Sequence, residues 1–170
     1  MFLGNWLDQT VNIRPYRESD AREIAELFHD TVHSVNRRDY TGEQLAAWAP
    51  HAIDYEHWRR RLIEKKPIVA EIGEKIVGFA ELDPDGHIDC FYVHKEYQRR
   101  KIGQRMLDRL TENAKGIGIH RLYSEISVTA VPFFEKSGFR MIQENIIWRK
   151  GIHLRNCVME KRLALDPCRG

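Results

Sequence analysis

Between Ile88 and Leu110 the chain changes its apolar period inside a strongly basic turn. Ile88, Phe91, Tyr92 and Val93 belong to a short strand-type run, whereas Ile102, Met106, Leu107 and Leu110 recur at helical spacing. The junction reads Gln98-Arg99-Arg100-Lys101-Ile102-Gly103-Gln104. A strand that turns into a helix leaves the first N–H groups of the helix without partners, at the positive end of its dipole. Basic residues crowded at such a turn suit a phosphate or pyrophosphate. Gly103 falls in the first helical turn, where the missing side chain is expected to let backbone and ligand approach closely.

Around this junction the remaining pattern alternates strands and helices. Residues 11–16 read as a first strand, and Ala21, Ile24, Ala25, Phe28 and Val32 as the apolar face of a helix starting near Glu18, with Ser19 or Asp20 as its cap. Thr41-Gly42-Glu43-Gln44 has the form of a capping box, and Pro50 ends the helix it opens. A further helix spans residues 54–65, followed by strands at 67–72 and 76–82 around a turn at Gly73-Glu74. Asp83-Pro84-Asp85-Gly86 is a turn before the strand that leads to the basic junction. Beyond the junction helix come a strand at 121–126, a short helix at 130–137 and two strands at 140–149 and 153–162, joined by a hairpin turn at Lys150-Gly151. This order predicts a mixed α/β fold with helices on both faces of the sheet.

The 170 residues suit one domain, with a core from about residue 11 to 161. A net charge of +2 argues against general nucleic-acid binding, and the basic junction has no second basic face to extend it. Cys90, Cys157 and Cys168 include no Cys-x-x-Cys pair, so neither a disulfide framework nor a zinc knuckle is expected, and a reducing cytoplasm is the default. Met1-Phe2-Leu3-Gly4-Asn5-Trp6 lacks the basic lead of a signal peptide, and no apolar stretch is long enough to span a bilayer. The chain allows a homodimer without specifying one.

The segment Gln98 to Gly103 resembles the pyrophosphate loop of the GNAT superfamily, the acyl-coenzyme A dependent N-acyltransferases, except that Lys101 stands where that family has Gly. A second stretch, Ser127-Val128-Thr129-Ala130-Val131-Pro132-Phe133-Phe134-Glu135-Lys136-Ser137-Gly138-Phe139, is similar to the family's later helix and its exit into a strand. The resemblance covers roughly residues 11–161 and points to the small bacterial acetyltransferases. It implies a GNAT-like, mostly antiparallel sheet in which the strands around Ile88 and Leu122 run parallel and splay apart to admit the thioester. It implies acetyl-CoA as cosubstrate, bound by the backbone of Phe91, Tyr92 and Val93 and by Gln98, Arg99, Arg100, Lys101, Ile102, Gly103 and Gln104. Ser127 stands where relatives often have Asn, and Phe134 where many place a Tyr acid. Lys101 is compatible with either an altered loop or an added charge facing the phosphates.

Acetyl transfer to an amine meets one obstacle, because an alkylammonium with a pKa near 10.4 loses its proton at pH 7 at a cost of about 4.6 kcal/mol. Asp89 is the first candidate base, on the strand that leads to the phosphate turn, and His87 the second, two residues earlier on the same face. Protonating the thiolate is the lesser problem, with a deficit of about 2 kcal/mol. Tyr92 or Tyr123 are the available acids in place of Phe134, each with a competing reading as a half-buried strand aromatic. Trp48, Trp58 and Tyr40 are candidates to line an acceptor pocket.

His29 and His33 stand at a spacing able to hold a metal, but no Glu separates them and no third ligand is evident, so no metal is expected. The reading is therefore a cytoplasmic acetyl-CoA dependent N-acetyltransferase that acts on a primary amine, in a small molecule or a peptide, by direct attack in a ternary complex. The alternative is an acyl-CoA binding module without catalysis.

Overall fold

In a computed structural model, residues 10–164 are described. Met1–Trp6 and Cys168, on which part of the leader and cysteine readings rests, lie outside them. The order is β1 (Asn12–Pro15), α1 (Ala21–Ser34), α2 (Gly42–Trp48), α3 (Tyr55–Lys65), β2 (Ile68–Ile72), β3 (Lys75–Ala80), β4 (Phe91–Val93), α4 (Ile102–Gly116), β5 (Arg121–Ser127), α5 (Val131–Lys136), β6 (Arg140–Arg149) and β7 (Ile152–Arg162). The strands form two antiparallel sheets, ordered β1-β2-β3-β4 and β5-β7-β6. Among the described residues no helix is long and apolar enough to cross a membrane.

Side chains of β3 alternate between two apolar clusters. Ile76 and Phe79 pack with Ile24, Leu27 and Leu62 of α1 and α3, while Val77 and Ala80 pack with Met106, Leu107 and Leu110 of α4. A strand covered on both faces reads as an almost continuous apolar run, as Ile76 to Ala80 does. At Gly78 a side chain is excluded, because its Cβ would sit 2.6 Å from the Met106 sulfur. A third cluster, of Val32, Tyr40, Leu45, Ala49 and Leu154, joins α1 and α2 to β7.

The two sheets meet at one place. Tyr123 N–H donates to the Gly86 carbonyl at 3.0 Å, Ile88 N–H donates to the Tyr123 carbonyl at 2.8 Å, and the Ser124 hydroxyl donates to the Ile88 carbonyl at 2.6 Å. His87 and Tyr123 form a parallel bridge there. Past it, Phe91–Val93 pairs only with β3 and β5 pairs only with β7, so the strands part as expected. The predicted single strand from Ile88 is thus divided: its first residues bond to β5, and only Phe91–Val93 forms a regular ladder.

The Thr41 box closes as expected, with Gln44 N–H donating to the Thr41 hydroxyl at 3.3 Å and Thr41 N–H donating to Gln44 Oε1 at 2.9 Å. Lys150 and Gly151 both have positive φ, 49° and 77°, as a tight hairpin turn requires. Asp20 stands at the N-cap position of α1 but its side chain makes no cap hydrogen bond; its carboxylate accepts from Arg17 N–H at 2.7 Å and from Arg14 at 2.7 Å, anchoring β1 to the helix entry.

Gly86 (φ 93°) makes the meeting of the sheets possible, since a Cβ there would overlap the Arg121 carbonyl oxygen. Gly118 (φ 79°) has open space around the same position. Gly86→Ala is therefore expected to destabilise the protein by about 3 kcal/mol or more, and Gly118→Ala by about 1 kcal/mol, its backbone strain alone. Urea unfolding measures both, and equal midpoints would show that the close approach at Gly86 is not what holds the sheets together.

Candidate active site

Where β4 and β5 part, a cavity of about 840 Å³ opens. Cys90 and Tyr92 line it from one side of the split, and Glu125 and Ser127 from the other. Phe28, Trp48 and Trp58 supply aromatic wall, while Arg149, Lys150 and Arg155 bring cations from the β6–β7 hairpin. Tyr40 also lines the cavity, as expected, but its hydroxyl is engaged: it donates to the Arg155 carbonyl at 2.6 Å and accepts from Val128 N–H at 3.0 Å.

The basic turn lies between β4 and α4. Arg105 N–H is the first to bond within the helix, to the Lys101 carbonyl at 3.1 Å, so the N–H groups of Ile102, Gly103 and Gln104 have no acceptor inside it. Arg99 and Lys101 are both left-handed, at φ 59° and 61°. Lys101 thus takes a left-handed conformation that a Gly adopts without strain, at a cost of about 1–2 kcal/mol, and its side chain is exposed. Arg99 and Arg100 are exposed too, Arg100 over the Tyr97 ring at 5.0 Å. Gln98 donates to the Val93 carbonyl at 2.6 Å and so ties the turn to the end of β4.

Gly103 has a packing role beside the one expected of it. A Cβ there would come within 3.2 Å of the Phe133 ring, so the close approach it permits is helix α4 against α5. Phe134, in the place of the family's Tyr, is 3% exposed and packed among Phe91, Phe133 and Phe139. Gln104 offers only its backbone, because its side chain bonds Asp108 at 2.8 Å and accepts from Ser137 at 3.3 Å. The Ser127 hydroxyl accepts from Asn36 at 3.3 Å and stands on the cavity wall.

A line of opposite charges crosses the floor of the site. Arg61 donates to Glu81 at 3.1 Å and to Asp89 at 2.7 Å; Lys65 lies 3.1 Å from Asp89 and 2.8 Å from Asp83. His87 continues it, 3.3 Å from Asp83 through Nδ1 and 2.6 Å from Glu125 through Nε2. Burial pushes the Asp89 carboxyl up, but hydrogen bonds from Arg61 and Lys65 outweigh it and hold the group below the usual carboxylate range. For His87 burial favours the neutral ring, yet the bonds to Glu125 and Asp83 prevail and raise its pKa above 6.5. Of this expected pair, Asp89 lines the cavity and His87 stands behind Glu125.

Neither tyrosine is an easy acid. Burial raises the Tyr92 phenol well above its ordinary pKa, and the Tyr123 hydroxyl is committed to Asp85, which raises its pKa as well. Sequence reasoning passed over Glu125 and Arg61. Glu125 had a signal, since Tyr123, Glu125 and Ser127 share one face of a strand by period two. Arg61 had none, being one of three consecutive arginines on a helix.

Comparison with known proteins supports the same reading. The family description "Acetyltransferase (GNAT) domain" matches residues 36–163. The N-acetyltransferase YafP of Escherichia coli is 28% identical over 149 residues, covering 88% of this chain and 94% of that protein. The crystal structure of a GCN5-related N-acetyltransferase from Rhodopseudomonas palustris is 35% identical, with a TM-score of 0.86 over 94% of this chain and all of that one. A PaiA N-acetyltransferase from Thermoplasma acidophilum, solved with coenzyme A, shares the fold at 19% identity, with a TM-score of 0.72 over 91% of this chain and 99% of its own. With the split strands, the phosphate-type turn and the match over residues 36–163 in agreement, the chain belongs to the GNAT family of acetyltransferases.

Proposed function

We propose that the protein moves an acetyl group from acetyl-CoA to a primary amine, which attacks the thioester directly while both are bound. The observation that carries this reading is the cavity whose walls come from both sides of the β4–β5 split, because it brings an acceptor to where a thioester would enter. β4 has a strand partner on one edge only, so its other edge is open to the amides of an extended pantetheine chain. The free N–H groups of Ile102, Gly103 and Gln104, in a turn curled by two left-handed residues, suit the pyrophosphate. Backbone N–H from Phe91–Val93 is the donor available to the thioester oxygen as negative charge develops there.

Three carboxylates face the cavity. Asp54 caps α3 by accepting from His57 N–H at 2.9 Å, and Asp89 is paired with two cations. A carboxylate held ionised by Arg and Lys is a weak base, so Asp89 is assigned to holding Arg61 and Lys65 in place. Glu125, whose charged partner is the titratable His87, is assigned as the group that takes the ammonium proton, directly or through water, with His87 orienting it. The hairpin cations Arg149 and Lys150 on the same cavity favour an amine that also carries a carboxylate.

Three measurements test this reading. Acetyl-CoA should raise the melting temperature, and the double variant Arg99→Glu/Arg100→Glu, at exposed positions, should weaken its binding about tenfold or more. An unchanged Kd in the folded variant would displace the phosphate site from this turn. In a screen reporting released coenzyme A, amino acids should be better acceptors than the matching amines without a carboxylate. Equal rates for both would remove the role given to Arg149 and Lys150.

Glu125→Gln is expected to lower kcat/KM near pH 7 by about 100-fold, with recovery toward high pH as the free amine becomes abundant. Asp89→Asn should lose less activity and show no such recovery. The reverse pattern, with Asp89→Asn impaired and rescued at high pH while Glu125→Gln keeps wild-type rates, would return the proton to Asp89.

A further inference from the structure

The fold adds a third imidazole to the pair seen in the sequence. His29 and His33, one turn apart on α1, lie ring to ring at 4.5 Å, and His51, just past Pro50, stacks on His33 at 5.1 Å. One ligand nitrogen from each ring falls within 4.8 Å of the others. On His33 and on His29 one ring nitrogen is engaged with an acceptor, which leaves the lone pair on the other. His33 Nε2 is 2.6 Å from the Ala49 carbonyl, an acceptor, so Nε2 carries the hydrogen and Nδ1 the lone pair. His29 Nδ1 faces the Asp30 carboxylate at 3.5 Å, which leaves its lone pair on Nε2. That Nε2 is buried and has no hydrogen-bond partner. A ring whose second nitrogen donates to a carbonyl or carboxylate is the arrangement that orients metal-binding histidines.

We propose that His29, His33 and His51 form a binding site for a divalent transition metal of the zinc class. Imidazole nitrogens suit this class, and three of them leave a fourth tetrahedral position for water. Tetrahedral zinc needs its nitrogens about 3.3 Å apart, so the rings must close by at most about 1.5 Å. His51 is exposed on a connection between helices and is the ring placed to move. Bound metal would clamp α1 to residues 49–54, several of which line the acceptor cavity together with His29. The site thus fastens one wall of that cavity; the proposal does not depend on which amine is acetylated.

The test uses full-length protein stripped with a chelator, then titrated with zinc against a chromophoric competitor and with cobalt(II) as a spectroscopic probe. One zinc per chain is expected, with visible cobalt bands of a tetrahedral, nitrogen-rich site and a rise in melting temperature. His51→Ala, at an exposed position, should weaken binding at least about tenfold. The double variant His33→Ala/His51→Ala, shown to be folded by circular dichroism, should lose both the cobalt bands and the thermal shift. Asp83→Asn, which disrupts another group of ligand-type side chains, Asp83, His87 and Asp89, should bind as wild type does. Absence of stoichiometric uptake by the wild type, or uptake undiminished in the folded double variant, would overturn the proposal.

Discussion

Three short hydrogen bonds among Gly86, Ile88, Tyr123 and Ser124 are the joint on which the molecule turns. They connect two antiparallel sheets that share no other described strand pairing, and they do so in parallel register, where neither chain has a hairpin to hold it. Because the contact lasts for so few residues, right-handed strand twist carries β4 and β5 apart immediately afterward. The cavity, the open edge of β4 and the position of the basic turn all follow from that divergence. A longer ladder at this point would close the site.

The same region concentrates charge that would be costly if unpaired. Glu81 is completely buried, and burial pushes its carboxyl up against the opposing pull of Arg61. Removing one partner from such a pair typically costs about 3–5 kcal/mol, because the other charge is left inside the protein. Arg61 and Lys65 are thereby drawn under the segment that bears Asp89, and α3 is tied to the floor of the site. The alternation continues through Asp83 and His87 to Glu125, so groups from α3, the β3–β4 connection and β5 form one electrostatic unit. A carboxylate's position in that line, rather than its presence on the wall, decides whether it is free to accept a proton.

Much of this was legible from local signals. The change of period around Gln98 to Gln104 placed the helix start, and the hydrogen bond from Gln98 to the Val93 carbonyl shows why a residue with an amide side chain suits that corner. The left-handed φ of 61° at Lys101 is a property of the backbone that no residue pattern reports. A glycine in a phosphate-type turn reports only that something comes close, and at Gly103 the fold adds Phe133 as a neighbour.

By itself the sequence determined the element order, the basic helix start, the hairpin at Lys150-Gly151 and the family resemblance, since each depends on residues within one or two turns of one another. Tertiary structure alone decided the pairings. Arg61 meets Asp89 across 28 positions, His87 meets Glu125 across 38, and His33 meets the Ala49 carbonyl across 16. None of these has a periodic signature, because a hydrophobic pattern specifies which face of an element is buried and not which charged side chain arrives opposite. The roles proposed for Asp89, Glu125 and His51 therefore rest on long-range packing, where the field around a group, and not its chemical type, decides what it can do.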